Sequence, residues 1–236
     1  MNQRAQELGC VNTHFVNASG MPDENHYTTA HDMALIFQQA IKNQDFLDII
    51  GTQSFTIEPT NMNPESRVLN THYALLSAAA PEHYDGCFGG KTGVTEASKN
   101  TLVSGATRDG MTLIAVAMRA DAGQVCQDHI SMFDYGFNNF SKVMLKDLEK
   151  ADGVRSYKDE ENAYVVLPPN VKFSDLKAEV KAKDGSVNEG TVTYTYEGQI
   201  VGKADVTLDN KKSVEKPTIT KGTEKTGHNA GKPCSR

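Results

Sequence analysis

The sequence predicts an α+β fold: an antiparallel sheet with flanking helices over residues 1–148, a small β-sandwich-like domain over 149–208, and a disordered polar tail over 209–236. Three observations carry this. Met33, Ile36, Phe37, Ala40 and Ile41 recur at helical spacing. Three strand-like segments, 88–95, 100–107 and 111–118, are joined by connections short enough to require antiparallel neighbours. Beyond about residue 150 the pattern changes to short alternating segments with turn residues between them.

The elements follow in order. Residues 1–8 carry good helix formers and stop at Gly9. A polar loop with turn chemistry at Asn17-Ala18-Ser19-Gly20 comes next. Thr29 is placed to cap a helix running to Lys42, with Asp32 three residues on as a variant of the capping box. Asp45 is expected to cap a short helix from Phe46 to Ile50. Residues 53–58 and 66–69 suit a short strand pair, and Tyr73 to Leu76 a helical turn. After the three strands, an aromatic stripe including Phe133, Phe137 and Phe140 predicts a helix over 124–142 packed on the sheet. In the last domain, residues 163–167, 177–181, 190–196 and 199–208 read as strands, and Glu197-Gly198 as a hairpin turn.

With 38% hydrophobic and 23% charged residues, most of the chain can bury a core. A net charge of -6 offers no general attraction to nucleic acid or anionic membrane. No run approaches the roughly 18 apolar residues of a membrane span. Met1 to Arg4 reads as the middle of a helix rather than a leader, so the residues alone assign no compartment. Cys10, Cys87, Cys126 and Cys234 lack metal-site spacing and read most simply as buried or idle thiols, with a disulfide as the alternative. The seven histidines form no HExxH, and neither a metal nor a cofactor is expected.

The sharpest chemical signal is Gly89-Gly90-Lys91-Thr92-Gly93-Val94-Thr95 on the first of the three strands. Glycines allow a ligand backbone to lie close to a strand. A lysine there offers charge to a carboxylate, and a threonine hydroxyl adds a hydrogen bond. The plainer reading is an exposed edge-strand lysine beside a glycine-rich turn. Lys-Thr-Gly belongs, with Ser-x-x-Lys, to the signature of β-lactamases and penicillin-binding proteins. The stretch from Met1 to Phe140 resembles the peptidase domain of low-molecular-mass D-alanyl-D-alanine carboxypeptidases. The resemblance rests on Thr13-His14-Phe15, His26-Tyr27-Thr28-Thr29-Ala30, Asp32-Met33-Ala34, the Lys91-Thr92-Gly93 strand, Gly110-Met111-Thr112-Leu113-Ile114 and Asp134-Tyr135-Gly136-Phe137. The later β module resembles, more loosely, that family's second domain.

The resemblance implies a β-lactamase/transpeptidase-like domain and a serine-type acyl transfer that removes the terminal D-Ala from peptidoglycan stem peptides, outside the cytoplasm. It implies that Lys91 and Thr92 bind the terminal carboxylate, with Gly93 and Val94 beside them and the Val94 N–H in the oxyanion hole. β-Lactams would be ligands once the nucleophile is present. The family's Ser-x-x-Lys and Ser-x-Asn precede the segment matching Met1, so the chain is expected to be the C-terminal part and inactive alone. Ser174–Lys177, Ser213–Lys216, Ser98–Asn100 and Ser186–Asn188 match those patterns but all follow Lys91, and are expected to be chance matches. Cys126 falls where some relatives carry an arginine, and the family fold would bring Cys87 and Cys126 together as a disulfide. Asp45, Asp48 and Glu58 are expected to be solvated. Without the family's N-terminal strands, an exposed sheet edge would favour self-association. A non-catalytic cell-wall peptide-binding module, and a D,D-endopeptidase or β-lactamase of the same fold, are the alternatives.

Overall fold

A computed structural model describes residues 1–209; the tail from Asn210 onward lies outside the described residues. The described residues divide into two compact units, one of Met1–Val143 with Val166–Asp175, the other of Met144–Val165 with 176–209.

The first unit opens with α1 (Asn2–Glu7), α2 (Ala30–Ala40) and α3 (Gln44–Gly51). The Thr29 hydroxyl accepts the Asp32 N–H at 3.1 Å and so caps α2. Asp32 is itself buried, and its carboxylate accepts the Thr13 hydroxyl at 2.6 Å and the Asn12 N–H at 2.9 Å. The Thr13 hydroxyl is the main cause holding that carboxyl below its ordinary range, and burial opposes it. The cap therefore also ties the preceding loop to α2. The cap of α3 is Asn43, whose side chain accepts the Phe46 N–H, and not Asp45, which sits in the first turn. Asn43 has the extended backbone a cap needs, so α3 begins earlier than expected.

β1 (Ser54–Ile57) and β2 (Arg67–Asn70) pair antiparallel as an exposed hairpin. The central sheet follows, with β3 (Cys87–Thr95), β4 (Lys99–Arg108) and β5 (Met111–Ala120) in spatial order β3-β4-β5. Asp109 and Gly110 both take positive φ at the β4–β5 turn, matching the right-handed twist of a tight hairpin. α2 packs on β5 and α3 on β3, and the Phe37 ring stacks on Phe88 at 6.5 Å. α4 (Val125–Asn139) covers β4 and β5 through His129, Phe133 and Gly136, a face repeating every three to four residues. Burying an aromatic ring such as Phe133, 1% exposed, stabilises by roughly 1.5–3 kcal/mol.

α4 stops at Asn139, short of the expected Lys142. The Asn139 side chain donates to the Tyr135 carbonyl at 2.8 Å, a local bond of the kind by which asparagine competes with helix propagation. Phe140 is already extended, and β6 (Ser141–Met144) begins immediately and pairs with β8 (Tyr164–Leu167).

The second unit holds β7 (Val154–Tyr157), β9 (Lys177–Ala182), β10 (Glu189–Tyr196) and β11 (Gln199–Leu208), in spatial order β7-β11-β10-β9. Every pairing is antiparallel. The β10–β11 hairpin turns at Glu197-Gly198, both at positive φ. Val154, Val192 and Val206 fill its core, with the Tyr157 and Tyr194 hydroxyls bonded at 2.8 Å inside it. The edge strand β9 carries Lys177, Glu179 and Lys181, charges that discourage pairing with another sheet.

Candidate active site

Among the described residues β3 is an edge strand with one neighbour, β4. A bulge between Cys87 and Gly89 re-aims it before the glycines. Gly89 faces α3, where an added Cβ would lie 2.7 Å from Ile50 Cγ1. At Gly90 a Cβ would come 2.4 Å from the Val103 carbonyl oxygen and 2.9 Å from the Tyr73 hydroxyl. Only glycine lets the strand lie this close to β4. Lys91, Thr92, Gly93 and Val94 are all exposed, Val94 at 72%. The Lys91 ammonium donates to the Thr92 carbonyl and, among the described residues, enters no ion pair. The Thr101 hydroxyl donates to the Gly93 carbonyl at 3.1 Å and pins the strand's far end. An exposed cation, a hydroxyl and an open strand edge thus lie together on one rim, an arrangement suited to an extended peptide ending in a carboxylate.

The serines with pattern matches elsewhere have local structural roles. Ser98 closes the β3–β4 turn by bonding Thr95, Ser174 bonds Asp175, and Ser186 accepts the Glu189 N–H. Ser213 lies outside the described residues. Asp48 accepts from Gln44 on the α3 surface, and Asp45 and Glu58 are exposed. Among the described residues no cluster of three histidine, cysteine or acidic side chains could hold a metal. No helix among them is long and apolar enough to cross a membrane.

Cys87 and Cys126 are both free thiols, the simpler of the two readings of the sequence, and the alternative disulfide between them is not formed. The Cys87 thiol points to the Tyr73 hydroxyl at 3.7 Å, and burial is the main cause raising both thiol pKa values. Protonated thiols are poor nucleophiles for disulfide exchange. Cys10, also free, donates to the Asp32 carbonyl, and Cys234 lies outside the described residues.

One group went unread in the sequence. Ser104 on β4 and His129 on α4 are fully buried and bonded through the serine oxygen and His129 Nδ1. His129 shares the spacing of Phe133 and Gly136, so its presence in the buried stripe is the only signal the sequence offers for it.

An antiparallel sheet packed against helices, with Lys-Thr-Gly on its edge strand, carries one of the motifs in the joint signature of β-lactamases and penicillin-binding proteins. Comparison with known proteins agrees. The D-alanyl-D-alanine carboxypeptidase family matches residues 1–122 of the chain. The chain belongs to that family. It is 25% identical over 224 residues to the D-alanyl-D-alanine carboxypeptidase DacF of Bacillus subtilis, covering 87% of this chain and 56% of that protein. It is 34% identical over 147 residues to DacB2 of Mycobacterium tuberculosis, covering 58% of this chain and 46% of the relative. The Streptomyces K15 DD-transpeptidase structure superposes with a TM-score of 0.52 and 30% identity, over 58% of this chain and 52% of that one. The DacD structure from Francisella tularensis, at 20% identity and TM-score 0.60, shares the fold over 89% of this chain and 66% of that one. The chain thus spans about half the length of the curated relatives it matches.

Proposed function

We propose that this chain carries the substrate-carboxylate strand of a serine-type D-Ala-D-Ala carboxypeptidase that trims peptidoglycan stem peptides outside the cytoplasm. The observation that carries the reading is the exposed Lys91–Val94 edge, with an ammonium that enters no ion pair among the described residues, in a chain of this family. The terminal carboxylate of the peptide pairs with the Lys91 ammonium and accepts from the Thr92 hydroxyl. Gly93 leaves room for the peptide backbone, and the Val94 N–H donates to the oxygen of the scissile carbonyl as it becomes an oxyanion. The nucleophilic serine and its lysine base come from a Ser-x-x-Lys segment outside this sequence. That serine forms the acyl-enzyme, D-Ala departs with a proton, and water then hydrolyses the ester.

Intact mass after incubation with a penicillin tests this. The chain alone should take up no adduct. The chain joined to the Ser-x-x-Lys and Ser-x-Asn half of a relative should gain one, and Lys91→Ala in that protein should slow acylation by at least about tenfold, the scale of one charge-assisted hydrogen bond. A stoichiometric adduct on the chain alone would place the nucleophile within it and defeat the assignment.

A further inference from the structure

Beyond Phe88, β3 has little of its own to hold it in place: Gly89, Gly90 and Gly93 bring no side chain, and Lys91, Thr92 and Val94 are exposed. Glycine also leaves the backbone its greatest freedom, so a glycine-rich strand must be held from outside. Behind it, on the α4 face of the sheet, a line of buried polar groups meets that need. The Cys87 thiol at the start of β3 donates to the Tyr73 hydroxyl. That hydroxyl occupies the space where a side chain at Gly90 would begin. Ser104 stands in register with Gly90 on β4, its Cα and the Tyr73 hydroxyl both lie within 3.0 Å of where a Gly90 Cβ would be, and it is bonded to His129 Nδ1. Strand alternation puts Lys91, one residue on, on the opposite face from this line.

Apolar side chains would fill the same space at lower cost. Ser104 and His129 are 0% exposed, and His129 Nε2 has no hydrogen-bond partner. A buried polar set that is not fully satisfied is destabilising, and one use for it is to specify a single geometry that apolar packing would leave loose. We propose that Tyr73, Ser104 and His129 are positioning residues for β3, fixing the Gly90–Val94 backbone against β4 so that Lys91 and Thr92 meet a ligand carboxylate in one geometry. This rests on the reading of β3 as the carboxylate-binding strand.

Amide hydrogen exchange followed by NMR on the 236-residue chain tests it. Tyr73→Phe and Ser104→Ala each remove only a hydroxyl and keep the packing. Each should speed exchange of the Gly90–Val94 amides bonded to β4 by about tenfold, the size of one buried hydrogen bond. Amides in α2 and in the β10–β11 hairpin should keep their native rates, and Ser104→Thr, which retains the hydroxyl, should restore the protection of β3. Unchanged rates on β3, or a uniform rise through the first unit, would overturn the inference, since a merely structural role loosens the whole core. Titrating the native chain with an N-acylated D-Ala-D-Ala dipeptide separates the two ideas. Absence of shifts at Lys91–Val94 would remove the carboxylate reading, while the exchange rates would still decide whether the anchoring exists.

Discussion

A histidine with no exposed surface titrates against its own desolvation. Burial, the largest cause, pushes the His129 pKa down to about 4. The unfolded chain holds an ordinary histidine near 6.5, so between the two values it binds more protons than the native state. Stability from this group is therefore full above pH ~6.5 and is lost as pH falls toward 4, by about 3 kcal/mol at most. Urea titrations at pH 7, 5.5 and 4 should show that decline, and His129→Phe should flatten it across this window. A native chain whose stability is level over the same range would mean that His129 keeps its proton on folding. Asp32 acts in the opposite part of the scale. Its carboxyl is lowered, chiefly by the Thr13 hydroxyl, so its contribution is lost only below the ordinary aspartate range. The four residues of the proposed carboxylate site were readable because they are contiguous and sit on a strand whose pattern is clear. Tyr73, Ser104 and His129 were not, because they are distant in sequence, the last pair separated by 25 residues.

Among the elements, the two kinds of sheet edge are the most informative. β9 ends its sheet with lysines and a glutamate, whereas β5 runs Met111 to Ala120 with Arg119 its one charge and, among the described residues, no second neighbour. Beside it, Leu113, Ala115, Met132, Phe133 and Phe140 line an open apolar groove of about 350 Å³. An unprotected edge beside apolar surface favours pairing with another chain. The chain should therefore associate as its concentration rises, seen in sedimentation velocity as a growing weight-average mass. A single monomeric boundary at every concentration would show that the β5 edge is not sticky. The exposed edge was expected from the family resemblance, but the contrast with β9 emerges from the strand order, which places each strand inside or at the rim.

For the molecule as a whole, the division into units does not follow the chain's order. Val166–Asp175 returns to the first unit after the second has begun, and Val166 lines the groove beside β5. A fragment of residues 1–145 loses that return segment and keeps its open β5 edge. It should unfold broadly and at low temperature in calorimetry, without the cooperativity expected of a small two-state domain. A sharp two-state melt of a monomeric fragment would contradict this. Helix periods, caps and turn pairs depend on residues within one or two turns of each other, so α2, the β3–β5 meander and the β10–β11 hairpin can be read directly from the chain. The thiols that stay unpaired, the buried Ser104–His129 bond and the crossing of Val166–Asp175 depend on segments far apart in sequence. There, burial and hydrogen-bond satisfaction summed over several elements outweigh local preference, and only the packed fold resolves them.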